Sequence, residues 1–368
     1  MSKKIKYTVG KDNFEIIFKD DIGYALLTEL KKLESDNKLL IIYDSNLKKD
    51  YIFSLINFLK RTGNFIKVKK FKGGKKNKNI KELLKIIDNL IENKFTKNSV
   101  IISIGGGVLG DLSALAASLY LRGLYYFHIP TTMTSIVDSC IGGKTAINYK
   151  NIINSFGNYY HAKRVFISHD IIRHIPDREY ISGISEIIKC AIINKGLKLS
   201  FLKKNYKEFI NRKKEILNKL IFFSLKTKIK FFKDDVNEKK ERLSLNFGHT
   251  FAHAIEMACV EHNSEIYRHG EAVGIGMICE LFLSKKKYLL SELKDLLKLY
   301  KMPISIKVQN LNDKKILQKK IYDNLFLDKK KIGQHPRYIK IHSIGNSYVE
   351  EIQDLHLAND IIYQIIDQ

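Results

Sequence analysis

The sequence predicts an α/β domain over residues 1–175, followed by a mostly α-helical domain over residues 176–368. In the first half, short apolar runs alternate with longer amphipathic segments, and after about Pro176 the apolar runs typical of strands become scarce. Size agrees with this division, because 368 residues with 45% hydrophobic content exceed one average domain and suffice for two cores.

Predicted βαβ units make up the first domain, and such alternation favours a parallel sheet. The predicted strands are residues 38–43, 65–71, 99–104 and 125–129, and the predicted helices are residues 47–60, 79–92 and 112–121. The basic run at residues 72–78 is typical of an exposed loop between two of these elements. Helical periodicity dominates the second domain, at residues 182–193, 212–230, 250–260, 272–285 and 290–299.

The formal charge of +25 would ordinarily indicate a nucleic-acid or anionic-membrane partner. Here the lysines are scattered and accompanied by abundant Ile and Asn, a mixture that AT-rich coding DNA also produces, and no aromatic-rich basic cluster or base-reading motif is present. We therefore expect no nucleic-acid partner. An anionic small-molecule substrate is compatible with the charge.

Residues 1–10 are basic and polar, and no apolar stretch follows them, so the sequence predicts neither a secretory signal nor a membrane span. The four cysteines form no Cys-x-x-Cys pair and lie in apolar or helix-like surroundings, as expected for reduced packing residues; they are Cys140, Cys190, Cys259 and Cys279. Both observations favour a soluble cytoplasmic protein.

Residues 105–110 read Gly-Gly-Gly-Val-Leu-Gly between a predicted strand and a predicted helix. The pattern fits G-x-G-x-x-G, in which backbone amides at a helix N-terminus hold a pyrophosphate. Residues 112–137 contain no acid to bind a ribose. Asp44, after an earlier strand, is the obvious candidate for that role. A tight turn that merely needs glycine is an equally good reading of this segment alone.

A second glycine pair, Gly142 and Gly143, precedes Lys144. Glycines let a backbone approach a ligand closely, but the spacing is not that of a P-loop, and a surface loop is as good an explanation. The preceding Thr131 and Thr132 follow a predicted strand, so their hydroxyls are expected at the carboxyl edge of the sheet, where ligands bind in open α/β folds.

Three histidines with nearby acids crowd one stretch of the second domain. His249 and His253 are one helical turn apart and share a helix face, and His269 follows. Two histidines and a glutamate would satisfy a catalytic zinc site. The spacing is not His-Glu-x-x-His, and a structural role is the alternative for each histidine.

In order and nearly in wording, these segments resemble the 3-dehydroquinate synthase family, within the sugar phosphate cyclases, from about Asp44 to Arg337. The strongest blocks are residues 105–112, 130–132, 137–144, 185–189, 245–251 and 269–273. The resemblance implies an N-terminal Rossmann-like domain that binds NAD over residues 1–175, a helical metal- and substrate-binding domain over residues 176–368, and a homodimer.

The resemblance also implies the site residues. Ligands for one Zn2+ or Co2+ would be Glu186, His249 and His269, which leaves Glu256 and Glu271 with structural or supporting roles. The positions implied to bind NAD are Asp44, Lys78, Gly107, Val108, Leu109, Gly110, Asp111, Thr131, Thr132, Lys144 and Lys150. The positions implied to bind substrate or act on it are Asp138, Lys144, Lys150, Asn151, Lys189, Lys228, Arg242, Asn246, His253 and Lys330. Most of the latter are cationic or amide groups, which hold phosphate and carboxylate oxygens strongly.

The implied reaction converts 3-deoxy-D-arabino-heptulosonate 7-phosphate to 3-dehydroquinate and phosphate, the second step of the shikimate pathway. It proceeds by transient oxidation with NAD, elimination of phosphate, reduction and intramolecular aldol closure, with His253 as the candidate for proton handling beside the metal. A sister cyclase such as 2-deoxy-scyllo-inosose synthase is the alternative, and a nucleic-acid-binding protein that has lost the enzyme is a third.

The chain departs from the family pattern in several places, two of which concern predicted site residues. The family loop usually reads Gly-Glu-x-x-Lys, with its Glu on the adenosine ribose, whereas this chain has Lys75 at that position and Lys78 at the last. The Pro-Leu-Gly that usually lies between Asn148 and Lys150 is missing. NAD affinity and the roles of Lys150 and Asn151 are therefore the expectations most open to change.

Overall fold

The computed structural model describes residues 3–150, 152–261, 267–326 and 335–367. The chain divides into two compact units, Met1–Pro176 (unit 1) and Asp177–Gln368 (unit 2). Strands and helices alternate in unit 1, and helices predominate in unit 2. The predicted fold class, an α/β region followed by a mostly helical one, is confirmed.

Unit 1 contains strands β1 to β9 and helices α1 to α5 among its described residues. The strands are β1 (Lys3–Val9), β2 (Asp12–Phe18), β3 (Lys38–Asp44), β4 (Phe65–Phe71), β5 (Val100–Gly105), β6 (Tyr125–Pro130), β7 (Lys144–Tyr149), β8 (Ile152–Tyr159) and β9 (Arg164–Ile167). The helices are α1 (Ile22–Leu30), α2 (Lys49–Arg61), α3 (Ile80–Glu92), α4 (Gly107–Leu119) and α5 (His169–Arg173).

Seven of these strands form one sheet in the order β1-β2-β9-β6-β5-β3-β4, parallel except for the pair β1 and β2. Successive residues of a strand face opposite sides of the sheet. On β5, Val100, Ile102 and Ile104 join an apolar cluster with α1 and α2. Ser103 faces the other side, where its hydroxyl contacts that of Tyr126. One face of the central strands is therefore apolar, and the other carries polar groups.

The predicted strands and helices of unit 1 are all found, with one boundary that matters for the site. Helix α4 begins at Gly107 rather than at residue 112. The prediction started late because glycine disfavours a helix interior. Here close packing requires glycine, since a Cβ on Gly107 would lie 2.8 Å from Ser139 Oγ.

Two hairpins of unit 1 were not predicted. In β1 the alternation was legible, because Ile5 and Tyr7 are buried between exposed residues. Strand β8, which pairs with β7, has no fully buried residue among those described, so hydrophobic periodicity gives no signal there. The basic run at residues 72–78 ends in a lysine that is buried rather than exposed, Lys78.

Unit 2 contains ten helices and four short strands among its described residues. The helices are α6 (Asp177–Ser182), α7 (Ile184–Ile193), α8 (Leu199–Lys204), α9 (Tyr206–Ile210), α10 (Lys214–Phe232), α11 (His249–Glu261), α12 (His269–Leu283), α13 (Lys287–Leu299), α14 (Leu311–Leu325) and α15 (Leu355–Gln364). The strands are β10 (Ile306–Lys307), β11 (Arg337–Ser343), β12 (Asn346–Glu351) and β13 (Ile366–Asp367).

Helix α12 is the buried centre of unit 2. Nearly all of its residues are buried, as expected for a helix that is apolar on all sides. Glycines allow its neighbours to approach closely: a Cβ on Gly270 would lie 1.8 Å from the carbonyl oxygen of Ser182, and one on Gly276 would lie 1.9 Å from that of Gly248. Helix α12 therefore contacts the start of α11 and the end of α6 directly through backbone atoms.

The hairpin of β11 and β12 was not predicted, because the sequence shows mainly helical periodicity in this half. Its backbone is anchored to α12, because the amides of Ile339 and Ile341 donate to Glu280 Oε2 and Ser284 Oγ, both at 3.1 Å. Across the described ranges, no helix is both long enough and apolar enough to span a bilayer. All four cysteines are buried free thiols, as the sequence predicts.

Candidate functional site

The structure brings together one carboxylate and two imidazoles in unit 2. Glu186 lies in α7, and His249 and His269 are the first residues of α11 and α12. The Nε2 atoms of His249 and His269 lie 3.8 and 3.6 Å from Glu186 Oε1. One ligand atom from each of the three lies within 4.8 Å of the others. The residues that the resemblance implies as metal ligands therefore converge.

A separate acceptor orients each imidazole of this cluster. The carbonyl oxygen of Phe247 lies 3.2 Å from His249 Nδ1, and Glu256 Oε1 lies 3.2 Å from His269 Nδ1. Because each acceptor takes a proton from Nδ1, Nε2 of each neutral ring is the nitrogen that can bind a metal, and it is the nitrogen nearer to Glu186. Both rings are thus held in the tautomer that a metal ligand requires.

This geometry fits a divalent metal. Tetrahedral zinc at about 2.0–2.2 Å from its donors places them roughly 3.4 Å apart, near the distances found here. Glu186 is fully buried, and its Oε1 accepts no hydrogen bond from a described residue. A buried carboxylate oxygen in that condition is costly unless a cation balances it. Two nitrogens and one oxygen also leave a fourth position open, as catalytic zinc sites do.

His253 lies beside this cluster and is half-buried. Its ring centroid is 5.7 Å from that of His249 and 6.3 Å from that of His269. The group of converging ligand atoms does not include it. The structure thus brings His253 near the three ligands while leaving it outside their set.

The buried part of unit 2 also holds further residues implied to bind substrate. Lys189 and Arg242 are 1% exposed, and Lys228 and Asn246 are 8% exposed. Lys189 Nζ forms an ion pair with Glu186 Oε2, so the two oxygens of this carboxylate face different partners. Buried cations are rare unless an anion compensates them, and Glu186 compensates Lys189 here.

A short 3-10 helix, Glu241–Asn246, positions two of these side chains. The guanidinium of Arg242 donates to the carbonyl oxygen of Val236 at 2.6 Å. The amide nitrogen of the Asn246 side chain donates to Glu238 Oε1 at 2.5 Å. These two hydrogen bonds tie the 3-10 helix, which leads into α11, to the segment before it. They also hold the side chains of Arg242 and Asn246 in place.

In unit 1, the glycine turn between β5 and α4 has the form expected of an anion site. Helix α4 begins without a side-chain cap, so the amides of Gly107, Val108 and Leu109 have no acceptor within the helix. A Cβ on Gly106 would lie 2.9 Å from Thr132 Cγ2, and one on Gly110 would lie 3.2 Å from the ring of His128. The glycines thus allow close packing against Thr132 and His128, and they also leave the first-turn amides accessible to a ligand.

Lys78 and Asp111 meet although they are far apart in the sequence. Lys78 Nζ lies 2.5 Å from Asp111 Oδ2 and donates to Asn154 Oδ1 at 2.6 Å. Lys78 is 9% exposed. The pair joins the end of the basic run at residues 72–78, called the lysine-rich loop below, to α4. Two residues implied to bind NAD therefore lie together next to the glycine turn.

Three other residues implied to bind NAD follow strands of the sheet. Asp44 ends β3, and its carboxylate packs against Gly73, where a Cβ would lie 2.7 Å from Asp44 Oδ2. The amide of Thr131 donates to the carbonyl oxygen of Gly105 at 3.0 Å, which ties the end of β6 to the glycine turn. Thr132 packs on that turn through its methyl group. The carboxyl edge of the sheet thus collects them, as parallel strands dictate.

The remaining site predictions in unit 1 lie on or near the β7–β8 hairpin. Asp138 is in a π-helical turn, Ser135–Ser139. Lys144 is the exposed first residue of β7, and Lys150 has φ 46° at the hairpin turn. Asn151 and, in unit 2, Lys330 lie outside the described residues.

The sequence argument gave Glu256 only a structural or supporting role, and it did not single out Asn154. For Glu256 a signal existed, because a residue seven positions after His249 returns to the same helix face. For Asn154 no local signal exists, since its contact with Lys78 depends on how the hairpin folds back.

Two family descriptions match the chain. One, 3-dehydroquinate synthase N-terminal, covers residues 68–182, and the other, 3-dehydroquinate synthase C-terminal, covers residues 183–331. A 3-dehydroquinate synthase from Prochlorococcus marinus is 35% identical over 93% of this chain and 94% of its own.

Solved structures share the fold at lower identity. A 2-deoxy-scyllo-inosose synthase complexed with carbaglucose-6-phosphate, NAD+ and Co2+ superposes with a TM-score of 0.86 at 22% identity, over 98% of this chain and 100% of that one. A 2-epi-5-epi-valiolone synthase from Streptomyces hygroscopicus subsp. jinggangensis, with NAD+ and Zn2+ bound, gives 0.83 at 19% identity over 98% of both chains.

Proposed function

Because the chain belongs to the 3-dehydroquinate synthase family, we propose that it converts 3-deoxy-D-arabino-heptulosonate 7-phosphate to 3-dehydroquinate and phosphate. The observation that carries the proposal is the convergence of Glu186, His249 and His269 in a chain with full-length family similarity. The proposal includes NAD, one divalent metal and assembly as a homodimer.

We assign the binding of NAD to unit 1. When bound, NAD supplies a hydride acceptor that later returns the hydride, so the reaction is redox-neutral overall. The first-turn amides of Gly107, Val108 and Leu109 would hold its pyrophosphate, and Asp44 would accept from a ribose hydroxyl. Lys78 and Asp111, already paired at 2.5 Å, would fix the lysine-rich loop beside the turn.

We assign the metal to Glu186, His249 and His269. When bound, Zn2+ or Co2+ supplies a Lewis acid that polarises a substrate oxygen. Lys189 forms an ion pair with the second oxygen of Glu186 and so partly offsets the charge of this buried carboxylate. Phe247 and Glu256 hold the two imidazoles in their ligand tautomers.

Buried cations support an anionic substrate. Lys189, Lys228 and Arg242, with the amide of Asn246, offer charge-assisted and neutral donors to phosphate and carboxylate oxygens. Fixed donors would also keep the two ends of an opened sugar chain near one another, which favours intramolecular ring closure. Asp138, Lys144, Lys150, Asn151 and Lys330 are proposed to contribute further contacts.

We propose that His253 handles protons at the substrate oxygen next to the metal. The position of its imidazole, beside the ligand cluster but outside the ligand set, supports this role. Positioned general acids and bases contribute about 10²–10⁴-fold to a rate.

An assay of phosphate release identifies the substrate. The purified protein, supplied with NAD+ and Zn2+ or Co2+, should release phosphate from 3-deoxy-D-arabino-heptulosonate 7-phosphate and none from glucose 6-phosphate. The second sugar tests the alternative, a 2-deoxy-scyllo-inosose synthase, which the closely superposing fold keeps in consideration. Release from glucose 6-phosphate alone would make the sister cyclase the correct assignment.

The contact between Glu256 and His269 predicts an effect on metal affinity. Replacing Glu256 by Ala should weaken Zn2+ binding roughly 10- to 100-fold, because partners that orient a ligand histidine typically contribute that much. Glu256→Gln, which keeps an acceptor oxygen but loses the charge, should have a smaller effect. Competition with a chromophoric chelator measures the dissociation constant.

Glu271 provides the matched control for Glu256. It is also a buried acid, but its carboxylate accepts from the guanidinium of Arg178 through two contacts of 2.8 Å and from the backbone amide of Arg268, rather than from an imidazole. Glu271→Gln should lower thermal stability and change Zn2+ affinity less than about twofold. Equal loss of affinity in the Glu256 and Glu271 variants would contradict the assigned role of Glu256.

A further inference from the structure

A chain of hydrogen bonds runs beneath the glycine turn of unit 1. It begins at Ser139 and Ser135 in the π-helical turn, crosses to His128 on β6 and Ser103 on β5, and returns to Tyr126 on β6. Except for Ser139, these residues are at most 3% exposed. Buried polar atoms are costly unless every one is satisfied, so each group of this network needs its hydrogen-bond partner.

The two ends of the chain fix its direction. The hydroxyl of Tyr126 donates to the carbonyl oxygen of Gly110 at 3.1 Å. Since a hydroxyl has one hydrogen, Tyr126 must accept from Ser103 at 2.7 Å. Ser103 must in turn accept from His128 Nδ1–H, also at 2.7 Å. At the other end, the hydroxyl of Ser139 donates to Ser135 Oγ at 3.3 Å. The hydroxyl of Ser135 then donates to His128 Nε2, also at 3.3 Å.

His128 is therefore a neutral imidazole with its proton on Nδ1. Burial is the largest cause that lowers the pKa of His128, to about 4, so the ring is uncharged near neutral pH. A protonated ring would offer two donors and reverse half of the chain. Within this hydrogen-bond network, only His128 donates from one atom, Nδ1, and accepts at another, Nε2, with a rigid ring holding the two apart.

Both ends and the middle of the chain contact the first turn of α4. Gly107 packs on Ser139 Oγ, Gly110 packs on the ring of His128, and the carbonyl oxygen of Gly110 accepts from Tyr126. The contacts to Gly107 and Gly110 lie on either side of the amides of Val108 and Leu109. An apolar side chain would fill the same volume, but it could not tie the helix start to both β5 and the π-helical turn.

We propose that His128 is a positioning residue for NAD, which acts through this hydrogen-bond chain to hold the first turn of α4 where its amides meet the pyrophosphate. The inference rests on the proposed binding of NAD to unit 1. It extends that proposal to residues that touch neither cofactor nor substrate.

The test compares NAD+ affinity with stability in single variants of the full chain. Tyr126→Phe removes one hydroxyl from the end of the chain, and His128→Leu removes both hydrogen bonds of the ring. Each should weaken NAD+ binding by about tenfold, because it leaves buried partners unsatisfied next to the turn. His128→Gln, whose side-chain amide offers an NH2 donor and a carbonyl acceptor, should retain affinity within about threefold of the unaltered protein. Titration calorimetry with NAD+ measures the dissociation constants.

Tyr120→Phe is the matched control. Its hydroxyl donates to the carbonyl oxygen of Phe95 at 2.9 Å, also in unit 1 but away from the turn. It should lower the melting temperature without changing NAD+ affinity. If Tyr126→Phe and His128→Leu lower the melting temperature but leave NAD+ affinity within twofold, the hydrogen-bond chain through His128 has only a structural role and the inference is wrong. If the unaltered protein binds no NAD+ at all, the proposed function fails instead.

Discussion

Replacement of His249 by alanine should abolish metal binding and lower turnover by at least about a thousandfold. The reason is geometric, because Nε2 of His249 is one of only three donor atoms that converge among the described residues. Loss of a Lewis acid removes several kcal/mol of transition-state stabilisation, which corresponds to a factor of that size. Metal content of the purified variant and its rate of phosphate release measure the two effects.

His253→Ala provides the matched control, since His253 is an imidazole one helical turn away whose ring centroid is 5.7 Å from that of His249. It should keep its metal and lose about 10²–10⁴-fold in rate, as expected for a proton-handling group. A chelator should likewise abolish turnover of the unaltered protein, and added Zn2+ or Co2+ should restore it. Full activity without metal, or equal metal loss in both variants, would show that the histidine roles are misassigned.

Hydrophobic periodicity was enough to predict the fold class, because most elements of unit 1 are either fully buried strands or amphipathic helices. Strand β5, which is buried along its length, and helix α3 both lie within one residue of their predicted ends. Strand β8 escaped prediction because its residues are largely exposed, so no apolar alternation marks it. Its pairing instead depends on backbone hydrogen bonds between strands, which leave no signal in composition.

The candidate site was predictable only where its members are local. Helical spacing alone places His249 and His253 on one face, whereas Glu186 lies more than sixty residues earlier and was indicated solely by family resemblance. The hydrogen-bond chain through His128 was not predicted at all. It requires the pairing of β5 with β6, which places His128 opposite Ser103. Contacts that a fold creates between distant residues cannot be read from periodicity.

Replacement of Gly276 by alanine should destabilise unit 2 by about 3 kcal/mol, the upper part of the usual range for overpacking. A Cβ at this position would lie 1.9 Å from the carbonyl oxygen of Gly248, which is backbone and cannot rotate away. Gly248 itself has φ 81° and directly precedes His249. A methyl group must therefore push the start of α11 away from α12, and we expect Zn2+ affinity to fall together with stability.

Gly274, on the same helix, shows whether the effect comes from the clash or from any change of glycine in α12. A Cβ there would lie 3.3 Å from Leu297 Cδ2, the far end of a side chain that can shift, and 3.3 Å from Ser185 Oγ. The gain in helix propensity, about 0.5–1 kcal/mol, should offset this mild crowding and leave Gly274→Ala within about 1 kcal/mol of the unaltered protein. Urea unfolding of the metal-free proteins and Zn2+ titration measure both quantities. Normal stability and metal affinity in Gly276→Ala would mean that the backbone contact between α11 and α12 does not set the spacing of His249 and His269.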